Sequence, residues 1–301
     1  MTASLGLDAY AKINWALELL GKRPDGYHEI RTLTQTVSLC DQLRVSVRDL
    51  VPPAPPVTLS VEGDWPAPAS PSNLCWKAAL AFRERFGWPE AVDLWLSKEV
   101  PVGSGLGGGS SDAVAVLMAL SRLSRKGDTE SLLELAGKLG SDTALFVRGG
   151  AALCSGRGEI VTPVPCPREY HLVLARPDCS VSTPEAYSLL QPADFTSGEQ
   201  VKALAEHLTQ GAEPAAIAGS LVNTFRDKVA QRYPQIDEVV DELREVGALG
   251  AEMTGSGSAV FGVAEDAAHA RDMAQRLQDR RFWVRAVKTV PAGHKVWEDQ
   301  R

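Results

Sequence analysis

The chain has 301 residues, of which 44% are hydrophobic and 23% charged, and its formal net charge is -7. These values are ordinary for a soluble globular protein of one large or two moderate domains. The acidic balance, without a long Lys/Arg block, argues against nucleic acid as the main partner. The charges among the first twenty residues lead us to expect that the N-terminus is not a signal peptide. The sequence contains no run of about 18 apolar residues that could span a membrane.

The five cysteines are scattered along the chain, and no two of them form a CxxC pair. This spacing argues against a structural zinc site and fits a reducing compartment. We therefore expect a cytoplasmic protein.

The first predicted element is a strand. Residues 8–20 alternate apolar and polar side chains with a period of two, which is typical of a strand with one apolar face. Lys12 and Asn14 then project together from the opposite face. The segment 24–26, Pro-Asp-Gly, predicts a turn directly before Tyr27.

The rest of the chain forms two blocks of predicted elements. In the first block we predict strands at 42–48, 57–61 and 92–96, and helices at 73–86, 111–123 and 130–139. In the second block we predict strands at 151–154, 171–175 and 283–290, a mostly helical stretch at 184–246, a Gly/Ser turn within 252–263 and a helix at 267–277. The change of pattern between the blocks indicates two α+β halves, residues 1–156 and 157–301.

The most informative segment is 101–112, PVGSGLGGGSSD, which leads directly into an apolar helix. Its glycines remove Cβ atoms and permit positive φ, so that successive backbone N–H groups can form an anion-binding concavity. The following helix N-terminus also favours phosphate. Ser110 and Ser111 can cap that helix, or direct their hydroxyls at a phosphate or its magnesium ion.

Three interpretations of this loop compete. A flexible glycine turn is the simplest. Gly103, Gly105 and Gly108 also satisfy GxGxxG, but the acidic residue expected about 20 positions further on in a dinucleotide site is missing. The third interpretation is a nucleoside triphosphate loop, although not the common P-loop, because GxxxxGK[ST] occurs nowhere in the chain.

The loop closely resembles the ATP-phosphate loop of the GHMP kinases, the group named for galactokinase, homoserine kinase, mevalonate kinase and phosphomevalonate kinase. The strand that carries Lys12 resembles the first motif of this family, and segment 253–262, MTGSGSAVFG, resembles its third. The resemblance implies a two-domain α+β fold, ribosomal protein S5 domain 2-like in the N-terminal half and ferredoxin-like in the C-terminal half, with the active site between them. It implies ATP as phosphate donor, with Mg2+ carried on the phosphates and no acidic residue assigned to the metal.

The resemblance also implies roles for individual residues. Asp142 is the implied general base, and Lys12 would keep that carboxylate ionised and help to hold the attacked hydroxyl or the γ-phosphate. Taken alone, a lysine and an aspartate are more often solvated surface residues. The residues implied to bind ATP are Pro101, Gly103, Ser104, Gly105, Leu106, Gly107, Gly108, Gly109, Ser110, Ser111, Gly255, Ser256 and Gly257, with Asn73 and Lys98 near the adenine.

Four segments, 11–14, 23–28, 139–142 and 182–187, resemble the branch of the family that phosphorylates a cytidine-diphosphate-linked polyol. In that branch the positions of Tyr27 and His28 grip cytosine, by stacking and by hydrogen bonding. The implied substrate-binding residues are Asn14, Tyr27, His28, Thr183 and Tyr187. Without the resemblance, His28 would be a plain turn residue and Tyr187 the buried tip of an amphipathic helix.

The sequence departs from the family pattern near the implied base. Thr143-Ala144 replaces an expected Val-Pro, which could loosen the backbone that carries Asp142, and Ser141 stands for an expected alanine. Asp112 occupies a position where Asn or Ala is common, and its charge could disfavour phosphate on the same side.

Three other functions stay open at this point. The nearest is a GHMP kinase for a free alcohol such as homoserine or mevalonate. A non-catalytic nucleotide or sugar sensor on the same fold is more distant, and a dehydrogenase is the most remote. In each case we expect small-molecule ligands and neither nucleic acid nor membrane as a partner.

Overall fold

The computed structural model describes residues 3–140 and 142–297, and in this part of the chain two β-sheets are flanked by helices. The strands are β1 (Ala3–Lys22), β2 (His28–Arg48), β3 (Val57–Gly63), β4 (Ala91–Lys98), β5 (Ala151–Gly156), β6 (Ile160–Val164), β7 (His171–Arg176), β8 (Val222–Asn223), β9 (Gly250–Met253), β10 (Val260–Val263), β11 (Trp283–Lys288) and β12 (His294–Trp297). The helices are α1 (Leu74–Phe86), α2 (Gly108–Ser124), α3 (Thr129–Leu139), α4 (Thr143–Arg148), α5 (Thr183–Ser188), α6 (Glu199–Thr209), α7 (Pro214–Ala218), α8 (Arg226–Arg232), α9 (Gln235–Glu245) and α10 (Ala267–Arg276).

The two sheets confirm the predicted α+β class. The larger sheet has the order β12-β1-β2-β4-β3, with β5 paired to β2 and β6, and with β8 parallel to β1. The smaller sheet has the order β11-β7-β10-β9, and all its pairs are antiparallel. Strands β6, β8 and β12 come from the C-terminal half of the chain but belong to the larger sheet. The two sheets therefore do not coincide with the two predicted halves, and the division at 156/157 stays a prediction.

Alternate residues of β1 from Ala9 to Leu19 are buried, but register shifts after Tyr10 and after Asn14 divide them among three core clusters, so the prediction of one apolar face is wrong. The opposite face was expected to lie outside the core, but Lys12, Asn14 and Glu18 are buried as well. Loops from both halves of the chain pack over Lys12 and Asn14, which line an interior cleft, whereas Glu18 accepts a hydrogen bond from the backbone N–H of Val201 in α6.

Strand β2 is much longer than the predicted strand at 42–48. Its first part, residues 28–41, is rich in threonine and lacks clean alternation, so the period-two signal fails there. Thr32, Thr34 and Thr36 are nevertheless buried, and they contribute polar groups to the interior.

The helices largely follow the predicted positions. Asn73 is the N-cap of α1, where its side chain accepts a hydrogen bond from the backbone N–H of Cys75 at 2.9 Å. The predicted helical stretch at 184–246 is divided into separate helices, with the short strand β8 among them. None of the helices in the described ranges is long and apolar enough to cross a membrane.

Buried Glu252 in β9 should make stability depend on pH. Burial raises its pKa from 4.5 to about 7, although Arg226 lies only 3.7 Å away. The folded state then binds a proton more tightly than the unfolded state, so stability falls as pH rises from about 4.5 to about 7. We expect Glu252→Gln to raise the free energy of unfolding at pH 8 by about 1–3 kcal/mol, with the gain disappearing near pH 4.5. Denaturant titrations at the two pH values, with exposed Glu245→Gln as control, check this result, and an equal gain at both would contradict it.

Candidate active site

The glycine loop and the Gly/Ser turn meet along one edge of β1. Strand β12 covers one part of this edge and β8 covers another. In the part between them, the backbone N–H groups of Lys12 and Asn14 are not paired with a strand. The N–H of Lys12 donates to the carbonyl of Leu106 at 2.9 Å, and the N–H of Asn14 donates to Oγ1 of Thr254, also at 2.9 Å. The first strand therefore holds both the glycine loop and the Gly/Ser turn by direct hydrogen bonds.

The glycine loop and the Gly/Ser turn also pack directly on each other. The backbone N–H of Ala259 donates to the carbonyl of Ser104 at 3.0 Å. Gly105 has a φ of +82°, and a Cβ added to it would lie 2.4 Å from the carbonyl oxygen of Thr254. Only glycine fits this contact, because a side chain would meet backbone.

The glycine loop ends at the N-terminus of α2. Gly107, with a φ of +74°, is the N-cap, and its carbonyl accepts a hydrogen bond from the N–H of Ser111 at 3.0 Å. The Ser111 hydroxyl is buried and has no hydrogen-bond partner among the described residues. Gly107, Gly108, Gly109 and Ser110 at this helix end line the cleft, and the predicted binding of phosphate to their amides stays a prediction.

The two predicted catalytic residues come together at the centre of the cleft. Nζ of Lys12 lies 3.7 Å from Oδ2 of Asp142, with the lysine side chain 4% exposed and the aspartate 51%. Burial lowers the pKa of Lys12, and the negative charge of Asp142 opposes this shift. The structure thus brings the predicted cation and the predicted carboxylate together in one cleft.

The backbone around Asp142 is fixed without the proline that the family pattern contains. Asp142 lies directly before α4, and its side chain makes no capping hydrogen bond, so the carboxylate remains available. The neighbouring Thr143 is buried, and its hydroxyl lies within hydrogen-bond distance of the carbonyls of Ala136 and Gly140. These contacts hold the turn. Ser141, the other departure, lies outside the described residues.

Lys98 lies among carboxylates beside the glycine loop. It forms buried ion pairs with Asp41 and with Asp112, the latter at 2.8 Å. Burial disfavours its charge, but the carboxylates Asp112 and Asp41 more than offset this effect, so the pKa of Lys98 is raised. Burial raises the pKa of Asp112. The carboxyl group of Asp112 faces Lys98, and the predicted contact of Lys98 with adenine competes with Asp112 and Asp41.

Aromatic side chains define the other end of the cleft. The ring of His28 stacks on Tyr187, with a centroid separation of 4.8 Å and an interplanar angle of 28°. Tyr27 is 56% exposed and has the guanidinium of Arg157 over its ring at 4.7 Å. Burial lowers the pKa of His28, so its imidazole is neutral at pH 7. Both tyrosines line the cleft, and a cytosine between them stays a prediction.

A single cleft of about 850 Å³ contains most of the predicted residues. Asn73, Lys98 and Thr183 line it together with the catalytic pair and the aromatic group, and Thr183 Oγ1 lies 3.2 Å from Oγ of Ser256. Three predicted ATP-binding residues do not line it, namely Leu106, Ser111 and Gly257.

Sequence reasoning missed several residues that border this cleft. Arg157 stacks on Tyr27, and its position between two glycines in a short loop was an available signal. Thr32 and Thr254 make hydrogen bonds to the side chain of Asn14. Their partners are 18 and 240 positions away in the chain, so nothing in the local pattern could have identified these contacts.

A glycine loop that ends at a helix N-terminus shares one cleft with the Lys12–Asp142 pair, and this arrangement fits a small-molecule kinase. The model of the GHMP kinases N terminal domain matches residues 73–150, and that of the GHMP kinases C terminal region matches residues 200–282. The chain belongs to the GHMP kinase family.

Two relatives and one solved structure share a name. The chain is 38% identical over 288 residues to a 4-diphosphocytidyl-2-C-methyl-D-erythritol kinase of Geobacter sp. strain M21, covering 95% of this chain and 99% of the relative. It is 40% identical over 272 residues to the kinase of that name from Pelotomaculum thermopropionicum, covering 90% and 92%. A crystal structure of a 4-(cytidine 5'-diphospho)-2C-methyl-D-erythritol kinase superposes with a TM-score of 0.76 at 35% identity, covering 95% of this chain and 99% of that one.

Proposed function

We propose that the protein transfers the γ-phosphate of ATP to the 2-hydroxyl of 4-diphosphocytidyl-2-C-methyl-D-erythritol, a step of non-mevalonate isoprenoid precursor synthesis. The observation that carries the proposal is the arrangement of the cleft. The Lys12–Asp142 pair lies between an anion-binding loop and an aromatic group that includes Tyr27 and Tyr187. The names of relatives at 38% and 40% identity support the same substrate.

The proposed chemistry needs a proton acceptor and a cation beside the attacked hydroxyl. Asp142 accepts the proton of this hydroxyl as its oxygen attacks the γ-phosphorus, because its carboxylate is free of capping bonds and open to the cleft. Lys12 remains fixed by Asn14 and places a positive charge where negative charge develops on the transferred group. The backbone amides at the start of α2 hold the remaining phosphate oxygens.

ATP and Mg2+ are the proposed cofactors. The described residues contain no cluster of three or more His, Cys, Asp or Glu side chains that could hold a metal by itself. The hydroxyl of Ser111 is the proposed oxygen ligand, because it follows Ser110 of the cleft lining and lacks a partner in the described part of the chain, although it is buried and does not itself line the cleft. When bound, the ion would neutralise phosphate charge, and Ser111 with the phosphates would hold it.

The cytidine end of the proposed substrate lies at the aromatic group. Neutral His28 can exchange a hydrogen bond with a base edge, and stacking on an aromatic ring is worth about 1–3 kcal/mol per base in nucleic-acid systems. Asn14 and Thr183 are the proposed polar contacts of the polyol. The free thiol state of all five cysteines supports the further proposal of a cytoplasmic location.

The experiment that tests the proposal is phosphoryl transfer from ATP to 4-diphosphocytidyl-2-C-methyl-D-erythritol, with mevalonate and homoserine assayed in parallel. We expect transfer to the cytidine substrate alone, and competition by CDP. Transfer to mevalonate or homoserine instead would keep the kinase and refute the cytidine pocket. Transfer to none of the three would refute the proposed reaction and favour a sensor.

A further inference from the structure

Thr254 makes two hydrogen bonds to one residue of the first strand. It lies between β9 and the Gly/Ser turn and is completely buried. Its Oγ1 accepts a hydrogen bond from the backbone N–H of Asn14 at 2.9 Å, and it donates to Oδ1 of Asn14 at 3.2 Å. One hydroxyl therefore fixes both the main chain and the side-chain amide of Asn14.

The orientation of the Asn14 amide is fixed from its other end by Thr32. The Thr32 hydroxyl donates its only proton to the carbonyl of Ala16 at 2.7 Å, so its oxygen can only accept from Nδ2 of Asn14, which lies 2.8 Å away. Oδ1 of Asn14 must then face the opposite direction. There it accepts from Nζ of Lys12 at 2.6 Å as well as from Thr254.

Thr254 itself is held by the Gly/Ser turn. Its backbone N–H donates to the carbonyl of Ala259 at 2.9 Å. The buried side chain of Asn223 donates to the carbonyls of Met253 and Gly255, at 2.7 and 2.9 Å, on either side of Thr254. The position of the hydroxyl is thus tied to that of the turn.

These contacts form one continuous path from the Gly/Ser turn to the catalytic pair. We infer that Thr254 is a positioning residue for the reaction, which acts on Lys12 through Asn14. The inference rests on the proposed function, since it assigns Lys12 to the chemical step. It also restricts the substrate-binding role of Asn14, because Oδ1 and one N–H of its amide are already used by Lys12, Thr254 and Thr32.

Thr254→Val tests the inference, because valine has a similar shape and no hydroxyl. Since a displacement of about 1 Å can reduce a rate about 100-fold, we expect kcat to fall about 10- to 100-fold. KM for ATP and for the cytidine substrate should change by less than about threefold, because Thr254 contacts neither. Thr254→Ser keeps the hydroxyl and should restore kcat to within about threefold of the wild-type value.

Thr289→Val is the matched control for the loss of a buried hydroxyl. Thr289 follows β11 outside the cleft, and its Oγ1 accepts a hydrogen bond from the buried backbone N–H of Tyr170 at 3.0 Å. Both valine variants lose the same type of bond, so a comparable loss of stability is expected. Only Thr254→Val should lower kcat. Equal kcat values in the two valine variants would overturn the inference.

A second measurement does not depend on the substrate. The rate at which an amine-specific reagent modifies Lys12, read by peptide mass spectrometry, should rise severalfold in Thr254→Val and stay unchanged in Thr289→Val. If the wild-type protein phosphorylates none of the alcohols tested, the proposed function fails, and this labelling rate alone decides on Thr254. An unchanged rate in Thr254→Val would then overturn the inference.

Discussion

Asp142→Asn is expected to lower kcat about 100- to 10,000-fold, the usual contribution of a general base, while the protein stays folded. The substitution keeps the size of the side chain but removes the proton acceptor 3.7 Å from Nζ of Lys12. KM for ATP should change little, because the glycine loop is held by its backbone hydrogen bonds with Lys12 and Ala259 and not by Asp142. Steady-state kinetics together with thermal unfolding check this result.

Lys12→Met should cause a loss of similar size for a different reason. Methionine fills the buried space of the lysine stem but removes the positive charge that would lie beside the transferred phosphate.

Asp241→Asn is the matched control for Asp142→Asn, since Asp241 is an exposed carboxylate 3.3 Å from Arg244 on α9. A wild-type kcat in both cleft variants would refute the proposed chemistry.

The parts of the fold that the sequence predicted well are those with a regular local signal. The strand at 8–20, the helix at 73–86 and the helix after the glycine loop all depend on neighbouring residues, and the structure has each of them. The start of β2 lacked such a signal. Its threonines are buried because other parts of the chain cover them, and that information is not local.

The candidate site shows the same division. Motif resemblance brought Lys12 and Asp142 together, although they are 130 positions apart, and the structure places them in contact. The supporting contacts were not predicted. Asn14 was expected to bind substrate, yet its amide oxygen accepts from Lys12 and Thr254. A linear motif identifies residue types, but it does not specify which hydrogen bonds their side chains make in the folded protein.

Gly105→Ala is a third substitution with a large expected effect, because it separates the two loops that pack at the cleft. The added Cβ would lie 2.4 Å from the carbonyl of Thr254, and the φ of +82° is one that alanine adopts at a cost of about 1–2 kcal/mol. The glycine loop must therefore move away from the Gly/Ser turn. We expect kcat/KM for ATP to fall about 100-fold, measured at saturating alcohol substrate.

The matched control for Gly105→Ala is Gly137→Ala in α3. A Cβ at Gly137 has no neighbour within 4 Å among the described residues, so the same substitution adds only helix propensity there, worth about 0.5–1 kcal/mol of stability. It should leave kcat/KM for ATP unchanged and raise Tm. A wild-type kcat/KM for ATP in Gly105→Ala would contradict this expectation. The packing of the glycine loop on the Gly/Ser turn would then not determine how ATP is held, and the phosphate site would have to lie elsewhere in the cleft.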